Sequence, residues 1–472
     1  MLKSDLLWGY AAQVLNIGLG LIMLPVLVRY MSPAEVGLWF VFITLISLVQ
    51  LLELGFMPTL SRNFAYIYAG TQKLSAFGLQ DNGNGPLNIS LLANLVAAAR
   101  WTYLWITLVA AAVLIFGGTI YITRLLQPEH DTFKVLAGWF ALVVGSIINL
   151  YFNYLNAVLL GRGDVTAANK VVIGSRSIQV IFGVISVVAG FGLLGLGIAS
   201  ILSAIISRVL ARRYVFTRQH PEMIGLVANA EGTKILIGTL WHNASRFGIV
   251  LLGVFLIWRA NIFIASSYLG LEDAASYGLA VQIFTLLNTI ATVPFNLSLP
   301  KLNSLRARKK NAEVYKTFSA LLVSAIIMYV IAALFVLFMG NYLLDIIGSS
   351  TKLPNNWIML LMAVVFLLEI NHGTCSNFIT TGNHVPFVHA AVISGLCIVV
   401  LSVFLAPIYG LGGLVMSQGV VQVLYNNWKW PMEVGKIFNV PYFKMLFNGL
   451  IVLKKSLIAE VMGICHWMTS SK

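Results

Sequence analysis

The feature that most restricts this chain is a succession of apolar runs, each close to twenty residues long, joined by short connections where the basic residues collect. Wound as a helix, a run of that length matches the hydrocarbon core of a bilayer. About twelve spans are expected, centred on residues 7–29, 37–58, 98–122, 135–157, 171–190, 193–213, 239–268, 276–299, 317–340, 357–378, 387–408 and 411–430. Only 10% of the residues are charged and 59% are apolar, whereas a soluble domain carries about 25% charged residues. The fold class is therefore all-α, a polytopic membrane protein. The first run is too long for a signal-peptide core and has no small-residue cleavage site before Arg29, so it is expected to stay as a span.

A formal net charge of +14 invites a nucleic-acid partner, but position argues against one. There is no basic domain, only basic loops that set topology and attract anionic lipids. With the N-terminus inside, Arg29, Arg124, Lys134 and Lys352 alone fall on the outer side, against many more lysines and arginines inside. The positive-inside rule then puts both termini in the cytoplasm. Cys375, Cys397 and Cys465 show no CxxC spacing and read as small core residues, without metal or disulfide role.

Residues 240–306 replay residues 7–62. Each begins Leu-Trp (Leu7-Trp8, Leu240-Trp241), runs apolar, turns, and runs apolar again to Arg62 or Arg306. The turns are Ser32-Pro33-Ala34-Glu35 in the first copy and Leu271-Glu272-Asp273-Ala274 in the second. Further on, Gly161 and Gly174 match Gly382 and Gly395, and Gly192-Leu193-Leu194-Gly195 matches Gly410-Leu411-Gly412-Gly413. Two six-helix bundles are expected, related by a pseudo-two-fold axis along the membrane normal. Residues 1–213 form the first lobe, 214–238 a cytoplasmic linker, 239–430 the second lobe and 431–472 a cytoplasmic amphipathic tail. Within that tail, 441–461 read as a helix lying on the inner leaflet.

Arg259 is the sharpest candidate for function. It stands eleven residues before Gly270, so about 16 Å below the outer turn and near the middle of a core about 30 Å thick. An arginine there calls for a wet cavity or a partner. Its planar fork suits the oxygens of a phosphate or pyrophosphate; a structural ion pair with Glu369 is the alternative. Arg246, on the same span, and Arg62 stand nearer the cytoplasm, at a cavity mouth or as topology residues.

Glu369 and His372 share a helix face three residues apart and form a candidate ion-coupling site, with an interhelical hydrogen bond as the plainer reading. Glu53 is a weaker coupling candidate, more readily a structural partner. Polar stripes recur at helical spacing: Gln282, Thr285, Asn288, Thr292 and Asn296; Asn149, Asn153 and Asn156 with Tyr151 and Tyr154; Thr44, Ser47 and Gln50. Such faces bond to neighbouring helices or line water, and amides and tyrosines suit sugars. No Walker A loop, G-x-S-x-G or HExxH is present, so no enzyme is expected, nor any cofactor or metal. Glu129-His130-Asp131 reads as a solvated loop.

At Tyr30-Met31-Ser32-Pro33-Ala34-Glu35-Val36-Gly37-Leu38-Trp39, then Glu53-Leu54-Gly55-Phe56 and Arg62, the chain resembles the polysaccharide-transporter family. These are the Wzx-like O-antigen and lipid-linked oligosaccharide flippases of the multidrug/oligosaccharidyl-lipid/polysaccharide exporter superfamily. Ser267-Tyr268-Leu269-Gly270 to Tyr277-Gly278-Leu279-Ala280, and Thr381-Gly382-Asn383 with Pro386-Phe387, are similar to that family's span 7–8 and span 10–11 turns. The resemblance covers roughly residues 5–430 and rests on several weak motifs.

It implies a V of two bundles around a central cavity opening alternately to each side of a bacterial inner membrane. The implied substrate is an undecaprenyl-pyrophosphate-linked oligosaccharide, moved to the outer leaflet by a monomer near other polysaccharide-assembly proteins. Arg259 with Arg246 would hold the pyrophosphate, the stripes the sugars, and H+ or Na+ would drive the cycle. The alternatives are a cation-coupled multidrug antiporter of the same superfamily, and a membrane-embedded glycan polymerase or ligase. The latter wants a sizeable external loop, and the longest here spans only about residues 341–356.

Overall fold

The computed structural model describes residues 8, 18, 20–53, 55–74, 85–128, 130–382 and 386–455. The side chains of residues 50, 242–247, 250 and 307, those of Gln50 and Arg246 among them, lie outside that description. Every regular element among the described residues is helical. In hydrocarbon the backbone must satisfy its own hydrogen bonds, and a helix does so within one segment. Nine of the described helices are long and apolar enough to cross a membrane, and Gly20–Tyr30 and Pro33–Val49 are shorter apolar helices. Their outward faces carry bare large side chains, such as Phe338, Phe404, Ile408 and Phe116. In water that would be an adhesive patch; against lipid it is an ordinary surface.

The chain divides into two compact units, Met1–Ala275 with Ile347–Thr351, and Ser276–Ile346 with Lys352–Lys472. This division places residues 239–268 in the first unit; the six-plus-six lobes remain a proposal about topology.

Unit 1 contains α1 (Gly20–Tyr30), α2 (Pro33–Leu52), α3 (Phe56–Tyr68), α4 (Ile89–Ala112), α5 (Thr119–Leu125), α6 (Thr132–Arg162), α7 (Val165–Val188), α8 (Gly192–Val215), α9 (Ala230–Trp258) and α10 (Ala260–Tyr268). The π-helical turn Val113–Gly118 joins α4 to α5. Glycines let backbones meet across α6. A Cβ on Gly138 would stand 2.8 Å from the Leu193 carbonyl of α8, and one on Gly161 2.6 Å from the Ser61 carbonyl of α3. Small residues at such crossings replace the hydrophobic drive that lipid cannot supply.

The Ser32-Pro33-Ala34-Glu35 turn is a capping box. Ser32 Oγ accepts from the Glu35 amide, and Glu35 Oε2 accepts from the Ser32 amide at 2.9 Å. One turn later a Cβ on Gly37 would overlap the Leu271 carbonyl oxygen, where only backbone can give way. Gly37→Ala is expected to lower stability by about 1–3 kcal/mol, as overpacking does. A thermal melt in detergent reads this as a drop of several degrees, and an unchanged melt would remove the crossing from the account.

Three expected spans are broken. Span 2, read as 37–58, ends at Leu52; Gly55 then takes φ 71° and α3 starts at Phe56. Span 7, read as 239–268, breaks at Arg259. Span 12, read as 411–430, stops at Tyr425, where α15 (Leu411–Leu424) gives way to α16 (Asn426–Phe438). The linker read as 214–238 is shorter, because α9 begins at Ala230. Arg162 fastens its start, donating to the Tyr214 carbonyl at 2.9 Å and the Val215 carbonyl at 3.3 Å while pairing with Asp164.

Unit 2 contains most of α11 (Leu271–Ala307) and α12 (Asn311–Ile347), with α13 (Asn356–Thr380), α14 (Val388–Tyr409), α15 and α16. A last helix, α17, runs over 442–455. Phe295, Phe318, Phe378, Trp430, Val434 and Met445 form one core. The tail is thus not simply laid on the leaflet. Met445 is fully buried, Asn448 donates to the Tyr315 hydroxyl at 2.8 Å, and Gly449 admits the Ser319 carbonyl. Phe443, Phe447, Leu450 and Ile451 keep the expected apolar face outward.

The paired glycine turns are alike. Gly192 and Gly410 have φ of 49° and 58°. Three residues on, a Cβ at Gly195 would overlap Ser186 Cβ, and one at Gly413 the Leu405 carbonyl oxygen. Both turns need glycine twice, first for conformation and then for space.

Candidate functional site

In unit 1 the polar residues gather where span 2 breaks. Glu53 caps α2, and its Oε1 accepts from the Tyr103 hydroxyl of α4 at 2.5 Å and from Asn153 Nδ2 of α6 at 2.7 Å. Asn156 Nδ2 donates to Asn153 Oδ1 at 3.1 Å. Two donors on one carboxylate oxygen tie three helices together, as a charge in this setting requires. From Tyr103 the aromatic surface continues through Tyr154 (6.5 Å) to Tyr151 (6.3 Å further) and Phe152 (4.6 Å beyond that). The Arg208 guanidinium of α8 stands 4.0 Å over the Phe152 ring. Arg100, Arg208 and Arg212 all lie within electrostatic reach of the Tyr154 hydroxyl.

The sequence-predicted Glu53 and Asn153 are in contact, Tyr151 is joined to them through the Tyr154 and Tyr103 rings, and Asn149 is exposed a turn away on α6. Sequence reasoning missed Arg100 and Tyr103, three apart on α4, and counted Arg208 only among the inner basic residues that set topology. The i, i+3 spacing of a cation and a phenol inside an apolar run was the available signal.

Arg259 occupies the break between α9 and α10. Its amide donates to the Phe255 carbonyl at 2.8 Å, and its carbonyl accepts from the Ile262 amide at 3.1 Å, so the chain turns tightly there. The side chain is half-buried, and no described carboxylate of unit 1 lies within ion-pair distance. Beyond it, α10 is held to α5 by the Tyr121 hydroxyl, which donates to the Phe263 carbonyl and meets the Ser266 and Ser267 hydroxyls at 2.8–2.9 Å. Arg62 is exposed on α3.

Unit 2 carries the second group. On α13, His372 Nε2 stands 3.3 Å from Glu369 Oε1, and its ring is buried. His372 Nδ1 faces two oxygens, Asn427 Oδ1 of α16 at 2.6 Å and the Leu368 carbonyl at 3.1 Å. A carbonyl can only accept, so Nδ1 carries the hydrogen and Nε2 is the titrating nitrogen. Glu369 Oε2 is buried, with no hydrogen-bond partner among the described residues. Asn371, next along α13, accepts from the Tyr442 hydroxyl.

On α11, Gln282 and Asn288 are half-buried. Thr289 and Thr292 turn their hydroxyls onto the Thr285 and Asn288 carbonyls at 2.8 Å, as Thr44 and Ser47 do on α2. Of the stripe residues, Thr292, Thr44 and Ser47 are thus self-satisfied, Thr289 lying beside the stripe, and the amides remain as cavity candidates. Among the described residues no group of three metal-ligating side chains occurs.

No protein-family model matches the sequence, and no curated protein matches it. Solved structures do. An inward-facing multidrug resistance MATE family transporter of the MOP superfamily superimposes with TM-score 0.64 at 14% identity, covering 89% of this chain and 95% of that one. The lipid II flippase MurJ, in an inward closed conformation, gives 0.62 at 13% identity over 96% of this chain and 92% of that one. The MATE multidrug transporter DinF-BH gives 0.62 at 13% identity over 93% of this chain and 97% of that one. The chain has the all-helical fold shared by these membrane transporters.

Proposed function

We propose that this protein is a flippase that moves an undecaprenyl-pyrophosphate-linked oligosaccharide from the inner to the outer leaflet of a bacterial inner membrane, by ion-coupled alternating access. The observation that carries the reading is the charge balance inside the apolar segments. The buried carboxylates are already engaged: Glu53 by Tyr103 and Asn153, Glu369 by His372. Half-buried Arg259 makes no ion pair with a described residue of unit 1, and neither does Arg208, which is exposed towards the end of α8. Guanidinium groups without carboxylates favour an anionic cargo, and pyrophosphate oxygens match their fork geometry. The tyrosines and amides beside Glu53 offer ring faces and hydrogen bonds to sugars. Glu369 with His372 is the coupling pair, since only a ligand that distinguishes the two states can drive them.

The decisive experiment deletes the gene in its host and measures lipid-linked repeat units on each membrane face. Accumulation on the inner face, reversed by the restored gene, is expected. A normal distribution in a strain with no second carrier, together with altered drug tolerance, overturns the reading in favour of a multidrug antiporter. That second reading rests on Glu369 Oε2, a buried acceptor without a partner among the described residues and able to receive a cation.

A further inference from the structure

Unit 2 holds an open pocket of about 360 Å³ that none of the residues above explains. Its walls come from the last turn of α11, the end of α13, Gly382, Pro386, and α16 with Tyr425 before it. Arg306 and Lys429 supply charge, Tyr425 and Trp430 supply rings, and Ile379 and Ile437 supply apolar surface.

The charged side is built rather than incidental. Arg306 Nη1 donates to Thr381 Oγ1 at 2.6 Å, and its guanidinium lies 5.3 Å from the centre of the Phe378 ring. Gly382 leaves room for it: a Cβ there would stand 2.9 Å from Nη2. Trp430 is 3% exposed, its Nε1 donating to Asn426 Oδ1 at 2.9 Å, with Phe387 and Tyr425 edge-on at 5.8 and 6.1 Å. Glu433 does not cancel the charge. Its Oε1 is shared by Lys429 and by exposed Lys436, each at 3.0 Å, so the lining carries two cations, Arg306 and Lys429, against one carboxylate.

Placement narrows the ligand. Leu424, Trp428 and Met432 recur every four residues, straddling the Tyr425 break into α16, and all are exposed. They lie beside the basic residues, in the arrangement of an interfacial anchor. Lys301, Arg308, Lys309 and Lys310 flank Arg306 in sequence, which marks this end as the cytoplasmic one by the positive-inside rule. A pocket with cations, a fixed aromatic wall and a lipid-facing apolar strip suits a phosphate diester whose tails remain in the bilayer.

We infer that the pocket bounded by Arg306, Lys429, Tyr425 and Trp430 is a binding site for the phosphate of an anionic glycerophospholipid of the inner leaflet. The assignment does not depend on what the cargo is. Basic loops attract anionic membranes in general; this site adds shape and fixed partners to that attraction.

The test is native mass spectrometry of the delipidated full chain, titrated with phosphatidylglycerol or phosphatidylcholine. One phosphatidylglycerol is expected to bind tightly and phosphatidylcholine weakly. In R306Q/K429Q, phosphatidylglycerol should bind about thirty-fold more weakly, from roughly one kilocalorie per mole for each basic residue lost. Ile437→Trp fills the pocket and keeps every charge, so it should lose the same lipid even if the double variant folds poorly. K444Q/K454Q, on exposed α17 lysines, should bind as wild type does. Millimolar inorganic phosphate should compete. Equal weakening in the α17 variant, or no preference for phosphatidylglycerol, overturns the site. Preferential retention of undecaprenyl pyrophosphate would instead make it a cargo entry point and overturn the phospholipid assignment.

Discussion

Replacing Arg259 with alanine is expected to cut delivery of lipid-linked repeat units to the outer leaflet by about a hundredfold, while the protein folds normally. A guanidinium on a pyrophosphate makes charge-assisted hydrogen bonds worth about 1.5–3 kcal/mol each. Losing a two-pronged contact removes about 3 kcal/mol, and every 1.4 kcal/mol is roughly tenfold. Nothing comparable is lost to the fold. Arg259 has no ion-pair partner among the described residues of its unit, and the break it occupies is held by main-chain bonds to Phe255 and Ile262. Removing a half-buried cation from an apolar setting should leave the melting temperature unchanged or raise it.

The lysine variant sharpens the expectation. A lysine at this position would keep the charge and lose the fork, so Arg259→Lys should fall between the two, about tenfold below wild type. A structural arginine behaves differently: alanine would lower the melting temperature, and transport would fall only as far as folded protein does. Wild-type translocation by a well-expressed Arg259→Ala protein sinks the anion-site proposal. Arg208→Ala should do less harm than Arg259→Ala, because Arg208 lies against a ring and Arg100 and Arg212 stand near the same tyrosine.

What the sequence disclosed follows from how local each feature is. Apolar length and loop charge are one-dimensional properties, so the all-helical membrane fold was legible at once. Glu369 and His372 meet because three residues along a helix return to the same face. Asn427 completes that pair from 55 positions away, which no spacing rule reaches. The same holds for Glu53, whose partners Tyr103 and Asn153 come from two other helices. Of the three breaks, that before Gly55 carried a glycine signal, but a lone glycine in an apolar run is common among 40. Those at Arg259 and Tyr425 carried no glycine or proline of their own. The tail's helix and outward apolar face were legible, but not its packing, because its lysines read only as an interruption of a span. They cluster at its edges, while Met445 and Gly449 pack into unit 2.

Glu369→Gln is expected to abolish ion-driven accumulation of cargo while leaving downhill movement intact. With Nδ1 committed to Leu368 and Asn427, the pair can change charge only at Nε2 and Glu369. Carrying its one proton, the pair is neutral overall, either as acid and imidazole or as carboxylate and imidazolium. Stripped of it, the carboxylate keeps a negative charge with Oε2 buried and unpartnered among the described residues, a state that apolar surroundings penalise. The site must therefore reload, with a proton or with Na+, before it is closed off. Glutamine matches the shape, and its amide donates to Nε2, so it mimics the loaded pair and removes only the ability to unload. One proton per cycle across a gradient of about one pH unit supplies about 1.4 kcal/mol, a tenfold accumulation ratio. In proteoliposomes that ratio should fall to about one in the variant, with pH dependence of transport flattened and the melting temperature preserved. A sodium gradient at fixed pH separates the two ions: whichever one loses its effect in the variant is the one Glu369 carries. Undiminished accumulation under both gradients would place the coupling elsewhere and leave Glu369, His372 and Asn427 as a packing contact between α13 and α16.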